Sequence, residues 1–453
     1  KKAIKIKPDY AEAYSNMGNA LKDKSELDAA IDSYKKAIKI KPDYAEAHSN
    51  MGSALKDKGD IDAAIDSFKQ ALKIKPDFAE AYYNMGIVLV ESADFDSALI
   101  SCDKAIRIKP DYREPKFLKS QLLLNRQKFE LGWSLYASSR DSCFEDTLVV
   151  TERAEMWKGA SLQGKNIQVY AAAGVGDEIC FSSCIPDLIQ KSPNIIYLEC
   201  DPRLQPLFAR SFPEVVTYGR ARNHQLADIF NENDVPKIDS HIDYSIPIDG
   251  LPQFFRKQIE DFPKRDAFLV PDPKLIGKWR KRLADLGEGL KIGISWFGGT
   301  KKIKKQQSIP LSHWKSLLSA EAFFVNLQYG NTADEVAQFS AENNITIHDW
   351  EDNNALLDLD NQAAFISELD LVISVDNATV HSCIALGTEV WDMLDPNLNL
   401  MWMDNGTNAS PLSPHVQLFK KKVPDTWSTV LKHVEEQLKK RLSAECRKTE
   451  RPK

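Results

Sequence analysis

The hydrophobic pattern changes character about a third of the way along the chain. Up to about residue 140 the apolar positions return every three or four residues, the spacing of amphipathic helices, and the helical stretches come in pairs. AEAYSNMGNALKD from Ala11, AEAHSNMGSALKD from Ala45 and AEAYYNMGIVLVE from Ala79 are versions of one segment, 34 residues apart. Small residues keep fixed places in every copy, at Gly18, Gly52 and Gly86, at Ala30, Ala64 and Ala98, and at Ala37, Ala71 and Ala105. Pro42, Pro76 and Pro110 close the second helix of each copy, because proline offers no N–H to continue it. Beyond residue 150 the pattern becomes short β-branched runs alternating with helical stretches, as in parallel sheets with crossover helices. Strands are predicted at Asn166 to Ala171, Ile195 to Glu199, Val215 to Tyr218, Lys291 to Trp296, Phe324 to Gln328, Leu371 to Val375 and Val390 to Leu394. Helices are predicted over Leu275 to Leu286 and Thr426 to Leu442, and the proline-rich stretch Phe262 to Pro273 reads as a linker.

The period and the glycine, alanine and proline positions resemble tetratricopeptide repeats. Three full units, the tail of an earlier one and a degenerate pair from Arg113 to Arg140 carry the resemblance, which implies an all-α superhelix over residues 1–140. The decapeptide at Lys1 to Tyr10 recurs at Lys35 to Tyr44, so the chain is expected to begin inside a repeat, truncated at its N-terminus. Leu118, Leu122, Phe129, Leu131 and Trp133 make the last pair heavier and more apolar, as a capping unit docked on the next domain requires. Asn16, Asn50 and Asn84 recur at one helical position. Two readings stand for them: a carboxamide ladder pairing with the backbone of an extended peptide, or polar residues that suit an exposed concave face. The ladder resembles that of the O-linked N-acetylglucosamine transferases, a likeness confined to the repeats.

In the α/β region the informative places are the loops that follow strands. Leu371 to Val375 runs into Asp376, Asn377, Ala378 and Thr379, a strand ending in small polar residues where a helix begins. Such a turn directs free backbone N–H groups above the sheet, where α/β proteins hold phosphates. Gly174-Val175-Gly176-Asp177 repeats the arrangement after an earlier strand. Asp177 is either a base for an attacking hydroxyl or a cap favoured by the helix dipole. After Lys291 to Trp296 come Phe297-Gly298-Gly299-Thr300 and the lysines 301, 302, 304 and 305, which read either as an anion-facing loop or as a solvated charge run.

Composition narrows the classes. At 453 residues the chain needs two or three domains. A net charge of -6 gives no global reason for binding nucleic acid or an anionic membrane. Seven cysteines without paired ligand spacing indicate neither a disulfide framework nor structural zinc, and a cytoplasmic location is expected. Cys180 and Cys184 read as core; His224 and His241 carry no assignable chemistry. No apolar run is long enough for a membrane span.

Met156 to Leu438 resembles the heptosyltransferase-like (family 9-like) glycosyltransferases of the GT-B class, including bacterial members fused to tetratricopeptide repeats. The motifs are Trp157-Lys158-Gly159, Gly174-Val175-Gly176-Asp177, Ile294-Ser295-Trp296-Phe297-Gly298, Ser308-Ile309-Pro310-Leu311, Leu327-Gln328, and Leu369 to Asp376 with His381 and Ala385-Leu386-Gly387. The resemblance implies two Rossmann-like domains: an acceptor domain over 150–270 and a sugar-nucleotide domain over 271–424, followed by a C-terminal helix and tail over 425–453. It implies a metal-independent hexosyl- or heptosyl-type transferase without a cofactor, moving a sugar from a nucleotide-sugar donor to an acceptor hydroxyl on a protein or peptide recruited by the repeats. Asp177 would be the base, with Gly174 and Gly176 in the acceptor loop. Asp376, Asn377, Ala378, Thr379 and His381 would cradle the leaving diphosphate, and Trp296, Gly298 and Gln328 would line the nucleotide pocket. Three positions depart from the family pattern. Gln307 stands where Arg or Lys is usual, leaving Lys304 or Lys305 to supply the cation. Asn377 replaces the usual Thr, and Leu412-Ser413 replaces an aromatic pair. These departures keep open a second function, a catalytically weak or inactive scaffold acting through its repeats. A third, metal-dependent transfer through Asp358-Leu359-Asp360, is disfavoured by the helical context of that motif.

Overall fold

The computed structural model describes residue 4 and residues 6–140, 154–171, 174–221, 241–298, 308–395, 409–410, 413–421 and 426–449. The chain forms two compact units, Lys1–Asp141 and Ser142–Lys453.

The first unit is all α. Among the described residues, eight main helices form four antiparallel pairs: α1 (Ala11–Asp23) with α2 (Leu27–Ile40), α3 (Ala45–Lys58) with α4 (Ile61–Ile74), α5 (Ala79–Glu91) with α6 (Phe95–Ile108), and α7 (Arg113–Asn125) with α8 (Phe129–Arg140). Ala30, Ala64, Ala98, Ala37, Ala71 and Ala105 are fully buried, as their invariance from unit to unit predicts. The turns between repeats carry a recurring device. Lys41, Lys75 and Lys109 lie over the rings of Tyr44, Phe78 and Tyr112 at 4.9, 4.6 and 5.0 Å. The same lysines reach back to Glu12, Glu46 and Glu80 at 4.0, 3.2 and 3.5 Å, tying each turn to the first helix of its repeat. In the last pair Leu122, Phe129 and Trp133 are buried, whereas Leu131 is 66% exposed.

The second unit holds two parallel sheets. The first comprises β1 (Glu155–Met156), β2 (Asn166–Tyr170), β3 (Ile195–Cys200), β4 (Val216–Gly219) and β5 (Tyr244–Pro247), in the spatial order β1-β5-β2-β3-β4. Helices α9 (Val175–Phe181) and α10 (Gln205–Ser211) follow β2 and β3. The second sheet begins after α11 (Pro273–Ala284) and contains β6 (Lys291–Ser295), β7 (Phe323–Asn326), β8 (Ile347–His348), β9 (Leu371–Val375), β10 (Val390–Leu394), β11 (Ala409–Ser410) and β12 (Ser413–Lys420). Helices α12 (Ala333–Asn343), α13 (Leu359–Ile366) and α14 (Ala378–Leu386) connect its strands, and α15 (Trp427–Thr449) follows β12. The order is β11-β12-β10-β9-β6-β7-β8, all parallel except the β11 edge. Numbered from β6 and without β11, this is 3-2-1-4-5-6, the doubly wound arrangement whose strand order reverses between β6 and β9. Both faces of the sheet are covered, which is why β9 and β10 are apolar almost throughout. Trp279, Phe365, Val380 and Leu418 fill one layer, and Trp296, Trp314 and Met393 the other. Val430, Leu431, Val434 and Leu438 of α15 join the second layer, so this helix is part of the core over the second sheet.

Candidate functional site

At the reversal of the second sheet a row of small polar side chains crosses the apolar strands. Ser295 of β6 pairs in register with Ser374 of β9, and Ser374 with Asp392 of β10. All three are fully buried. Asn377 caps α14 above this row: its Oδ1 accepts the Thr379 N–H at 2.9 Å, and its Nδ2 donates to Ser295 Oγ at 2.8 Å and to the Phe297 carbonyl at 3.2 Å. Gln328 holds the other side of the β6 loop. Its Oε1 accepts from Ser295 Oγ and from the N–H groups of Trp296 and Phe297 at 3.0, 2.7 and 2.8 Å, while its Nε2 donates to the Phe297 carbonyl at 3.1 Å. A Cβ on Gly298 would lie 2.8 Å from the Asp376 carbonyl oxygen, so only glycine lets the loops after β6 and β9 approach this closely. The result is a fixed helix N-terminus, a place where backbone N–H groups and the helix dipole favour an anion.

The first half meets this helix directly. Gly174 caps α9, and Asp177 Oδ2 accepts the Gly174 N–H at 3.3 Å. A Cβ on Gly176 would stand 3.0 Å from His381 Cδ2 and 3.3 Å from Ala378 Cα, so the first turns of α9 and α14 are in contact. Glu178, fully buried, accepts the Asp201 N–H at 2.8 Å and ties α9 to the end of β3. Burial first, with the Asp177 and Asp376 charges behind it, holds the Cys180 thiol well above its ordinary range. Burial likewise pushes Cys184 up to about 11. Both remain thiols near neutrality and supply no nucleophile. Burial, and then the Asp376 charge, hold the Asp392 carboxyl well above the usual carboxylate range.

The residues singled out from the sequence therefore fall into groups. Asp376, Asn377, Ala378, Thr379, His381 and Gly298 come together with Gly174, Gly176 and Asp177 where α9 and α14 meet. The Trp296 ring is buried in the core, and Gln328 both bonds the β6 loop with its amide and lines a cavity at the end of β7. Lys304, Lys305, Gln307 and His224 lie outside the described residues. Asp358 caps α13 by accepting the Asn361 N–H at 2.9 Å, and Asp360 pairs with Arg210, so both carboxylates of that motif are committed. No group of three or more metal-ligating side chains occurs among the described residues. Asn16 is exposed and Asn50 and Asn84 half-buried, at matching positions on α1, α3 and α5.

Sequence reasoning missed the Ser295, Ser374 and Asp392 row, whose only local signal is a polar residue inside each apolar run. It also missed a cavity of about 810 Å³ beside Gln328, where β7 ends and α12 begins. Tyr329, Thr332, Val336, Asp349, Trp350 and Asn353 contribute to its wall, and among the described residues no lysine or arginine does. Tyr329 stands edge-on to Phe297, ring centroids 5.5 Å apart, so the cavity adjoins the β6 loop.

Comparison with known proteins agrees with the repeats. A family model described as TPR repeat matches residues 18–59 and 52–92, and one described as tetratricopeptide repeat matches 79–112. The N-terminal region is thus made of tetratricopeptide repeats, and a region with two parallel sheets follows it. A curated relative, Protein FlbA of Caulobacter vibrioides (strain ATCC 19089 / CIP 103742 / CB 15), is 30% identical over 326 residues, 70% of this chain and 54% of the relative. The chain thus spans about half the length of that protein. Among solved structures, MamA is 25% identical with a TM-score of 0.29, over 30% of this chain and 81% of its own. YrrB, described as a TPR protein with an unusual peptide-binding site, is 27% identical with a TM-score of 0.28, over 30% of this chain and 71% of its own. No helix among the described residues is long and apolar enough to cross a membrane.

Proposed function

We propose that residues 142–453 form a metal-independent GT-B glycosyltransferase that moves a sugar from a nucleotide donor to an acceptor hydroxyl on a polypeptide recruited by the repeats. The observation that carries this reading is the N-terminus of α14, fixed by Asn377 and Gln328 at the strand-order reversal of a 3-2-1-4-5-6 sheet. In such sheets ligands sit outside the carboxyl ends of the strands at that reversal. The leaving diphosphate develops negative charge, which the N–H groups of the first turn of α14 and its dipole stabilise without a metal. His381 stands on that turn. The adjoining cavity, lined among the described residues by amides, hydroxyls, aromatic rings and two carboxylates but by no lysine or arginine, suits the uncharged nucleoside. Asp177, on the helix that touches α14, is the base that takes the proton of the acceptor hydroxyl. Lys304 or Lys305 supplies the cation that Gln307 does not. The test is release of free nucleotide from UDP-, GDP-, ADP- and CMP-sugars, a diphosphate from the first three and CMP from the last, followed by mass spectrometry. One donor is expected to be consumed without added metal and unaffected by chelator. Strict dependence on Mn²⁺ or Mg²⁺ contradicts the mechanism.

The second reading, a scaffold that binds partners through its repeats and transfers little, draws on Gln307 and on the capping role of Asp177. Measured turnover decides between the two.

A further inference from the structure

The connection between the two halves of the second unit is bonded on both sides. On one side, Ser211 Oγ at the end of α10 accepts the Val270 N–H at 2.9 Å, and Arg210 Nη1 donates to the Val270 carbonyl at 3.0 Å. On the other, the N–H groups of Phe268 and Leu269 both donate to the Ala385 carbonyl in the last turn of α14, at 2.9 and 3.0 Å. Gly387 ends that helix in the left-handed region, φ +76°, with the Asp266 carbonyl oxygen 2.5 Å from where a Cβ would stand. Any side chain there would push the connection off the helix. The stretch from Asp266 to Val270 is therefore a strap between α10 of the first half and α14 of the second.

One side-chain pair locks the strap. Arg210 grips Asp360 at the start of α13 through two parallel hydrogen bonds, Nη1 to Oδ1 at 2.9 Å and Nη2 to Oδ2 at 2.7 Å. Asp360 is nearly buried, and a bidentate guanidinium–carboxylate pair out of water has both geometric specificity and strength. Asp272, the cap of α11, stands 3.9 Å from the same guanidinium. Arg203, just before α10, also crosses to the second half, donating to the Leu356 carbonyl at 3.4 Å. Helix α14 is only nine residues long, so its strap-bound end and its anion-facing end lie about 13 Å apart on one rigid rod.

We infer that Arg210 and Asp360 form a latch between the halves, and that releasing it moves the strap and with it α14, so the latch regulates the anion site at the other end of that helix. Resting on the proposed donor site for its functional consequence, the coupling is reciprocal: an anion that prefers the latched geometry strengthens the latch by the same factor that the latch strengthens its binding.

The experiment combines amide hydrogen exchange with pyrophosphate binding, on the full chain, in the parent and in Arg210→Gln, Asp360→Asn and the double variant. Release of the latch is expected to speed exchange at Phe268, Leu269 and Val270 and also at Thr379 and Val380 in the first turn of α14. Amides of β6 and β7 should exchange at the parent rate. Pyrophosphate affinity is expected to fall about five- to tenfold in each single variant and no further in the double. Faster exchange in the strap with α14 unchanged overturns the coupling, and unchanged exchange throughout overturns the latch. If the parent binds no pyrophosphate while the exchange pattern appears as expected, the latch stands and the donor-site reading falls. Ser211→Ala removes one strap bond without touching the ion pair. It is expected to give a smaller rise at the same amides, and it serves as the test if the charge variants do not fold.

Discussion

Gln328 and Asp177 show how one residue answers two chemical questions. The Gln328 amide at the end of β7 lines the cavity beside it and also holds Ser295, Trp296 and Phe297. Gln328→Glu keeps the acceptor oxygens but cannot donate to the Phe297 carbonyl, and it buries a charge where the parent residue is 6% exposed. This substitution is expected to cost about 2–4 kcal/mol in urea denaturation. A loss under about 0.5 kcal/mol would mean that the β6 loop does not depend on it. At Asp177 the carboxylate caps α9 and is also the proposed base. Asp177→Asn keeps an oxygen for the Gly174 N–H and removes basicity, so transfer is expected to vanish while the melting temperature holds. Transfer at the parent rate in the Asn variant leaves only the cap.

At the scale of elements, the repeats offer a prediction of opposite signs. A Cβ on Gly18 would sit 2.5 Å from the Tyr34 ring, whereas on Gly86 it would meet Cys102 Sγ at 3.5 Å, an ordinary contact. Gly18→Ala is expected to destabilise by about 1–3 kcal/mol through overpacking. Gly86→Ala should gain up to about 1 kcal/mol from helix propensity; equal effects would deny the difference in packing. The turn lysines make stability depend on pH. At Glu46, burial raises the carboxyl's pKa but is outweighed by its backbone hydrogen bond and by Lys75, leaving it below the ordinary value. Its contribution is present above about pH 4.3 and is lost as pH falls through the lower folded value. Glu46→Gln is therefore expected to flatten the acid limb of the unfolding curve, and an unaltered limb would show that the pair contributes nothing.

Legibility from sequence followed burial. Leu371 to Val375 and Val390 to Leu394 are found residue for residue, because strands covered on both faces are continuous apolar runs. Tyr244–Pro247 went unseen as a four-residue strand ending in proline, and Ser413–Lys420 because a strand near the sheet edge mixes exposed and buried positions. The Asn377 loop was legible for its local strand-to-helix signal. The polar row beneath it was not, since Ser295, Ser374 and Asp392 are neighbours only through strand pairing.

On the scale of the whole molecule, the proposed function divides labour between a repeat unit that binds polypeptide and an α/β unit that binds donor. Replacing Asn16, Asn50 and Asn84 together by Ala is expected to weaken a polypeptide acceptor while leaving donor hydrolysis unchanged; unaltered acceptor affinity removes the ladder from recognition. The central claim is that the α/β unit holds a sugar nucleotide at α14. Melting temperature across a panel of UDP-, GDP-, ADP- and CMP-sugars tests it most directly, because a ligand bound to the native state stabilises it by RT ln(1 + [L]/Kd). One nucleotide class is expected to raise the melting temperature, with its free leaving nucleotide doing the same and pyrophosphate competing. No shift with any sugar nucleotide at millimolar concentration would contradict the account.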